Sequence, residues 1–238
     1  MKRFLDVFVA ITGLVLTSPI VLPLTFLIWL EDMHSPFYVA PRVARGGGTF
    51  HMVKLRSMIV GADKVGGTST SNADRRVTPL GRFVRRYKID EIPQLWNVLR
   101  GEMSLVGPRP QVLVGVAIYT VKERELLTAR PGITDFASIV FSDEGAILSE
   151  SADPDADYDR LIRPWKSRLG LLYIARQSFL LDVRLIAATV IAVFSRPRAL
   201  ALVDAMLRGV GAPDDVREVA RRDRPLRPSD PPGQEFAL

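Results

Sequence analysis

Two neighbouring carboxylates, Asp90 and Glu91, follow a run of cations, Arg85, Arg86 and Lys88. A carboxylate beside cations stays ionised, and an ionised carboxylate can act as a nucleophile or ligate Mg²⁺. Downstream, Pro108 and Pro110 bracket Arg109. Two prolines restrict the backbone around that guanidinium, which suits it to bidentate binding of phosphate. Plainer readings stay open: Asp90 can N-cap a helix with Pro93 in its first turn, and Arg109 can sit on a structural turn. Cysteine is absent and His34 and His51 are the only histidines, among 238 residues. That excludes disulfides, thiolate metal sites and a cysteine nucleophile, and it argues against a His-dependent triad. Acid–base and nucleophilic work falls to carboxylates, Lys, Arg, Ser or Tyr.

The elements that must position these groups can be read on either side. Thr78-Pro79 opens a helix with Leu80, Phe83, Val84 and Tyr87 on its apolar side and Arg82, Arg85, Arg86 and Lys88 around them. Such a basic amphipathic helix suits an anionic membrane surface, and the net charge of +6 fits an anionic partner. No nucleic-acid-binding signature accompanies these cations, so no nucleic-acid partner is expected. Ile92, Leu95, Trp96 and Leu99 mark a second helix ending at Gly101, then a short strand runs into the Gly107–Pro110 turn. Upstream, the stretch from Phe37 to Met58 reads as strand–turn–strand about Gly46–Gly48, with Lys54 and Arg56 on one strand face. The polar stretch from Gly61 to Val77 reads as a mobile loop. The acidic stretch from Phe141 to Tyr158 reads as a solvated loop, its spacing fitting no EF-hand. Residues from Leu169 to Phe194 read as one or two interfacial helices; Asp182 within them is either an ion-pair partner of Arg176 or Arg184, or an active-site residue.

Val7 to Leu30 is a run of 24 residues without a charge. As a straight helix it would rise about 36 Å, enough to span a bilayer core. A secretory leader is the competing reading, but the run exceeds an ordinary h-region and no A-x-A-like site follows. Ser18-Pro19 lies in the middle, where proline predicts a bend or break. Both flanks are basic, which favours both ends on the cytoplasmic side. A kinked span and a helix that dips into one leaflet and returns both remain open.

Taken in order, KRFLD (2–6), Ser18-Pro19, KLRSM (54–58), IDEIPQLWNVLRGEMSLVGPRP (89–110), RPGIT (130–134) and SFLLDVRLI (178–186) resemble the bacterial sugar transferase family. These monotopic phosphoglycosyl transferases load a sugar-1-phosphate onto a polyprenol phosphate. The resemblance implies that Asp90 is the nucleophile and a Mg²⁺ ligand, that Glu91 assists with the metal or a proton, and that Arg56, Arg85 and Arg109 bind phosphate. It also implies Asp182 near the site, a helix break at Ser18 and Pro19, a UDP-sugar donor, an undecaprenyl phosphate acceptor and the cytoplasmic face of the inner membrane. Many members follow RPGIT with Gly-Trp-Ala-Gln where this chain has Asp135-Phe136-Ala137-Ser138. The expected fold is α/β, mostly helical with a small β element, with a re-entrant helix-break-helix and amphipathic interfacial helices. The expected divisions are a membrane helix at 1–36, a catalytic domain at 37–208 and a flexible tail at 209–238. A reading of another class is a non-catalytic membrane scaffold with a basic interaction face.

Overall fold

The computed structural model of the chain describes residues 1–65 and 74–234. Most of the stretch expected to be a mobile loop lies outside these residues. The first helix, α1 (Lys2–Asp32), keeps its helical backbone through both Pro19 and Pro23. The expected interruption at Ser18-Pro19 is therefore not a loss of helix. Pro19 has no N–H to offer the Val15 carbonyl, and the Ser18 hydroxyl donates to that oxygen instead, at 2.8 Å. Thr17 and Thr25 donate in the same way to Gly13 and Val21, each at 2.6 Å.

Both ends of α1 are fastened to the rest of the chain. At its start, Lys2 Nζ reaches Asp182 Oδ2 at 2.6 Å, the Val106 carbonyl at 2.9 Å and the Tyr173 hydroxyl at 3.0 Å. Arg3 donates to the carbonyls of Val98 and Leu99 at 2.6 and 2.8 Å. Asp6 is buried and accepts from Ser104 Oγ and Leu105 N, each at 3.0 Å. At the far end, Arg56 clamps Asp32 at 2.5 and 2.7 Å, while Leu24 and Ile28 pack with Leu55 and Val84. Between these anchors Val15, Leu16, Ile20, Leu22 and Phe26 remain exposed.

Next comes an antiparallel hairpin, β1 (Phe37–Val43) and β2 (Thr49–Leu55), turned at Gly46 and Gly47, whose φ angles of 79° and 87° favour glycine. Then α2 (Pro79–Arg86) opens with Thr78 Oγ1 accepting from Gly81 N, and α3 (Gln94–Arg100) ends at Gly101 with φ 82°. Asn97 of α3 stitches this helix to β2, accepting from Val53 N at 3.0 Å and donating to the His51 carbonyl at 2.7 Å. The strands β3 (Ser104–Val106) and β4 (Gly132–Thr134) pair in parallel, with α4 (Leu113–Ala117) between them in sequence.

The remainder is helical: α5 (Phe136–Val140), α6 (Glu144–Ile147), α7 (Pro154–Asp157), α8 (Arg163–Arg176), α9 (Phe179–Phe194), α10 (Arg196–Gly209) and α11 (Asp214–Arg221). The expected interfacial stretch is thus two helices, split where Ser178 caps α9. The core joins Val98, Met103 and Val106 to Phe136, Ile139, Leu169, Tyr173, Leu185 and Leu207. The acidic stretch is not simply solvated, because Asp143 pairs with Arg196 and Arg222, and Glu144 pairs with Lys166.

The tail expected to be flexible carries α11, whose Val216 and Ala220 are buried in the core one helical turn apart. Beyond it the chain crosses back, with Ser229 N donating to the Arg160 carbonyl at 3.1 Å and Thr120 Oγ1 to the Pro232 carbonyl at 2.5 Å. Replacing Val216 by Asp places a charge in that core. We expect a loss of stability of about 2–4 kcal/mol, read as a lower melting temperature of the purified full chain. An unchanged melting temperature would show that α11 is dispensable to the core.

Candidate active site

The site begins with a backbone feature. Lys88 takes the left-handed conformation, φ 58°, and reverses the chain after α2. Ile89–Glu91 then form a helical turn, and Ile92 (φ −57°, ψ −41°) and Pro93 (φ −60°, ψ −17°) carry the same right-handed winding into α3. Asp90 therefore sits inside a winding that is already helical. Its side chain caps no backbone N–H, so the capping reading does not hold. It is buried, and its Oδ1 is sealed from solvent without a hydrogen-bond partner.

Glu91, by contrast, is saturated. Lys54 Nζ of β2 donates to it at 3.1 Å, and both terminal guanidinium nitrogens of Arg109 engage it, one through a short contact and the other at 3.3 Å. These charges set the protonation of the site. Burial raises the Asp90 carboxyl above its ordinary 3.8, and neighbouring Glu91 adds to this, against the pull of Lys54, Lys88 and Arg85. Burial alone would also raise Glu91, yet Arg109 and Lys54 hold it well below 4.5. Burial lowers Lys54 from 10.5 despite the attraction of Glu91. The pair of carboxylates is thus split into one committed anion and one that resists its charge.

Arg109 is placed by two crossing segments. Gly107 N donates to the Thr134 carbonyl and Gly132 N to the Pro108 carbonyl, both at 3.0 Å. The backbones approach so closely that a Cβ on Gly132 would lie 2.1 Å from Gly107 N. Arg109 keeps 32% of its side-chain surface exposed, so one side of the guanidinium remains open. It shares a groove with Asp135, Ser138, Tyr158, Lys166 and Ser167. The Asp135–Ser138 departure therefore lines that groove. Asp135 is buried, its carboxyl raised by burial, and its Oδ1 accepts from Ser138 N and Oγ, each at 2.7 Å.

The structure gathers Asp90, Glu91 and Arg109, with half-buried Arg85 near enough to act on the Asp90 charge. Two other expected site residues are engaged elsewhere. Arg56 lies past the end of β2 and, instead of sharing a strand face with Lys54, spends its guanidinium on Asp32 and on the Ile28 and Ser35 carbonyls. Asp182 pairs with neither Arg176 nor Arg184; it is held by Lys2 and by the Tyr173 hydroxyl, at 2.6 Å each. Ser18 and Pro19 remain within α1. Lys54 joins the site although it was read as one of two strand cations; its place two residues after Met52 and four after Phe50, both buried, was the signal that it faces inward.

Residues 1–196 match the family model for Bacterial sugar transferase. The chain belongs to this family. Among its relatives is a UDP-N-acetylgalactosamine-undecaprenyl-phosphate N-acetylgalactosaminephosphotransferase of Aeromonas hydrophila, 33% identical across 79% of this chain and 42% of the relative. A UDP-glucose:undecaprenyl-phosphate glucose-1-phosphate transferase of Caulobacter vibrioides is 39% identical across 58% of this chain and 53% of the relative. The exopolysaccharide production protein ExoY of Sinorhizobium fredii is 36% identical across 56% of this chain and 66% of its own length. The chain thus spans about half the length of the first two.

The raised Asp90 carboxyl has a stability consequence. In the window above 3.8 the folded state holds a proton that the unfolded chain has released, so this group's contribution falls as pH rises. Asp90→Asn removes that penalty. We expect the variant to melt higher than the parent at pH 7, with the gap closing as pH falls toward 3.8. Thermal melts across that range check it, and a variant that melts lower at pH 7 would contradict the burial argument.

Proposed function

We propose that this family member transfers a sugar-1-phosphate from a UDP-sugar to undecaprenyl phosphate in surface polysaccharide or glycoconjugate synthesis. The observation that carries the reading is the buried, unpaired Asp90 carboxylate beside the Lys54–Glu91–Arg109 cluster. An Asp90 oxygen attacks the phosphorus bearing the sugar; an O–P bond forms, the bridging P–O bond breaks and UMP leaves. The phosphate oxygen of the acceptor then attacks the same phosphorus and releases Asp90. Arg109 and Lys54 offset charge on the phosphates, and Glu91 holds those two cations in place and ionised. Its two salt bridges leave it poorly suited to carrying a proton. Arg85 adds positive potential at the entrance.

Mg²⁺ fits the donor set in one way. Among the described residues there is no cluster of three acidic or histidine ligands, and Glu91 is committed to cations. Asp90 remains as a single carboxylate, which matches a metal that keeps most of its bonds to substrate phosphates and water. When bound there, the ion neutralises charge developing on the leaving UMP.

The membrane placement follows the same reading. Among the described residues α1 is the one helix long and apolar enough to cross a bilayer. Its two ends nevertheless dock on the same body, with an exposed apolar middle between them. A re-entrant insertion with both ends on the cytoplasmic face satisfies that arrangement and the basic flanks. Exposed Phe179, Leu180, Val183, Val190, Val193 and Phe194 of α9 supply further apolar surface for the interface.

The chemical test is UMP release from a panel of UDP-sugars by the full chain in vesicles with undecaprenyl phosphate and Mg²⁺. We expect Asp90→Asn to lose at least about a thousandfold in turnover; retained turnover would remove Asp90 as the nucleophile and leave the scaffold reading. For topology, tags at either terminus should react with a membrane-impermeant reagent only after the inner membrane is opened. A tag that reacts from the periplasmic side in intact membranes would refute the re-entrant placement.

A further inference from the structure

Gln94 is 1% exposed, yet its amide Nε2 has no hydrogen-bond partner. A buried amide donor left unpaired forfeits its hydration without compensation, so a group in this state calls for a function. Asp90 Oδ1 is in the complementary condition, a buried acceptor with no donor. The two residues are linked by the winding already described. Ile89–Glu91, Ile92 and Pro93 lead into α3 with right-handed helical backbone, so Asp90 and Gln94 stand four residues apart on one helical face. Side chains at that spacing are neighbours, and helical side chains lean toward the N-terminus, which carries the Gln94 amide back over the turn holding Asp90.

Lys54, Glu91, Lys88 and Arg85, the charged groups that act on Asp90, all lack a bond to Oδ1. Lys54 and Arg109 are taken up by Glu91. Gln94 is thus the neutral donor left to orient the carboxylate. Because Oδ1 is sealed from solvent, the oxygen available to a phosphorus is Oδ2.

We infer that Gln94 is the positioning residue for the nucleophile: its buried N–H reaches Asp90 Oδ1 through one bridging water, and so presents Oδ2 to the phosphorus. A hydrogen bond to the non-attacking oxygen fixes the plane of the carboxyl group, and its geometry is worth most when the attacking oxygen must lie in line with the leaving group. The inference rests on the aspartyl reading above.

The test compares Gln94→Met and Gln94→Glu with the parent chain and Asp90→Asn. Met keeps the length and removes the donor, while Glu puts a second carboxylate against Oδ1. UMP is measured in the steady state and as a single-turnover burst without acceptor, with melting temperatures alongside. We expect Gln94→Met to lower kcat and the burst rate about 10- to 100-fold, with KM for the UDP-sugar within about threefold of the parent. Its melting temperature should equal or exceed the parent's, because an unpaired amide has been replaced by an apolar group. Gln94→Glu should be slower still. A Gln94→Met chain with parental kcat, or one whose loss is confined to KM or to melting temperature, overturns the inference. If Asp90→Asn and Gln94→Met both keep full turnover, the aspartyl reading itself fails; if Asp90→Asn alone is dead, only the role of Gln94 fails.

Discussion

The site depends on the commitment of Glu91 to Lys54 and Arg109. These three charges come from a strand, a helical turn and a proline-bracketed loop, so their attraction pins three separate segments together. It also decides what Asp90 can do. Without Glu91, two half-buried cations would face one remaining carboxylate, and an ion pair there would quench its nucleophilicity and fix its orientation. With Glu91 occupying them, Asp90 keeps an unpaired oxygen in a buried setting. The fold tolerates that unfavourable state because burial elsewhere, in the core joining Phe136, Leu169, Tyr173 and Leu185, is extensive. This is a division of labour between neighbouring side chains of the same chemical class, achieved by environment alone.

The second organising constraint is the docking of α1. A helix with an exposed apolar middle gains little from water-soluble packing, so its ends carry the attachment. Those attachments are polar, and each has at least one buried member: Asp182 with Lys2, Asp6 with Ser104, Arg56 with Asp32. Each would be costly to leave unpaired. They make α1 part of the folded body rather than a leash. Gly13 shows how close that union is, since a Cβ there would lie 2.9 Å from Leu95 of α3, the helix that continues from Asp90.

Much of this was legible in the sequence, and the failures have physical reasons. The Thr78-Pro79 helix start, the Gly46–Gly48 turn and the Gly101 helix end follow from local backbone preferences and were read correctly. Asp90 was ambiguous because local sequence locates a cap by where a helix begins. Here the left-handed Lys88 starts the winding earlier than the pattern suggests. The partners of Arg56 and Asp182, Asp32 and Lys2, were not legible because they are set by tertiary packing that no periodicity records. At Ser18-Pro19 the proline was weighed as a breaker without its neighbour's hydroxyl as a substitute donor. The tail looked polar overall, yet Val216 and Ala220 at helical spacing were enough to anchor it.

The bond between Lys2 and Asp182 joins residues 180 positions apart. A ribosome therefore delivers α1 well before the acidic partner of Lys2. At about 5–20 residues per second, roughly 9–36 s separate the two. Until Asp182 arrives Lys2 lacks its carboxylate partner, while Arg3 can already meet the Val98 and Leu99 carbonyls and Asp6 can meet Ser104. The contacts of α1 therefore become available in stages, those to residues 98–105 before the Lys2–Asp182 pair. The order of synthesis becomes a folding instruction: the helix is seated step by step, and its opening residue is the latest of these to be locked.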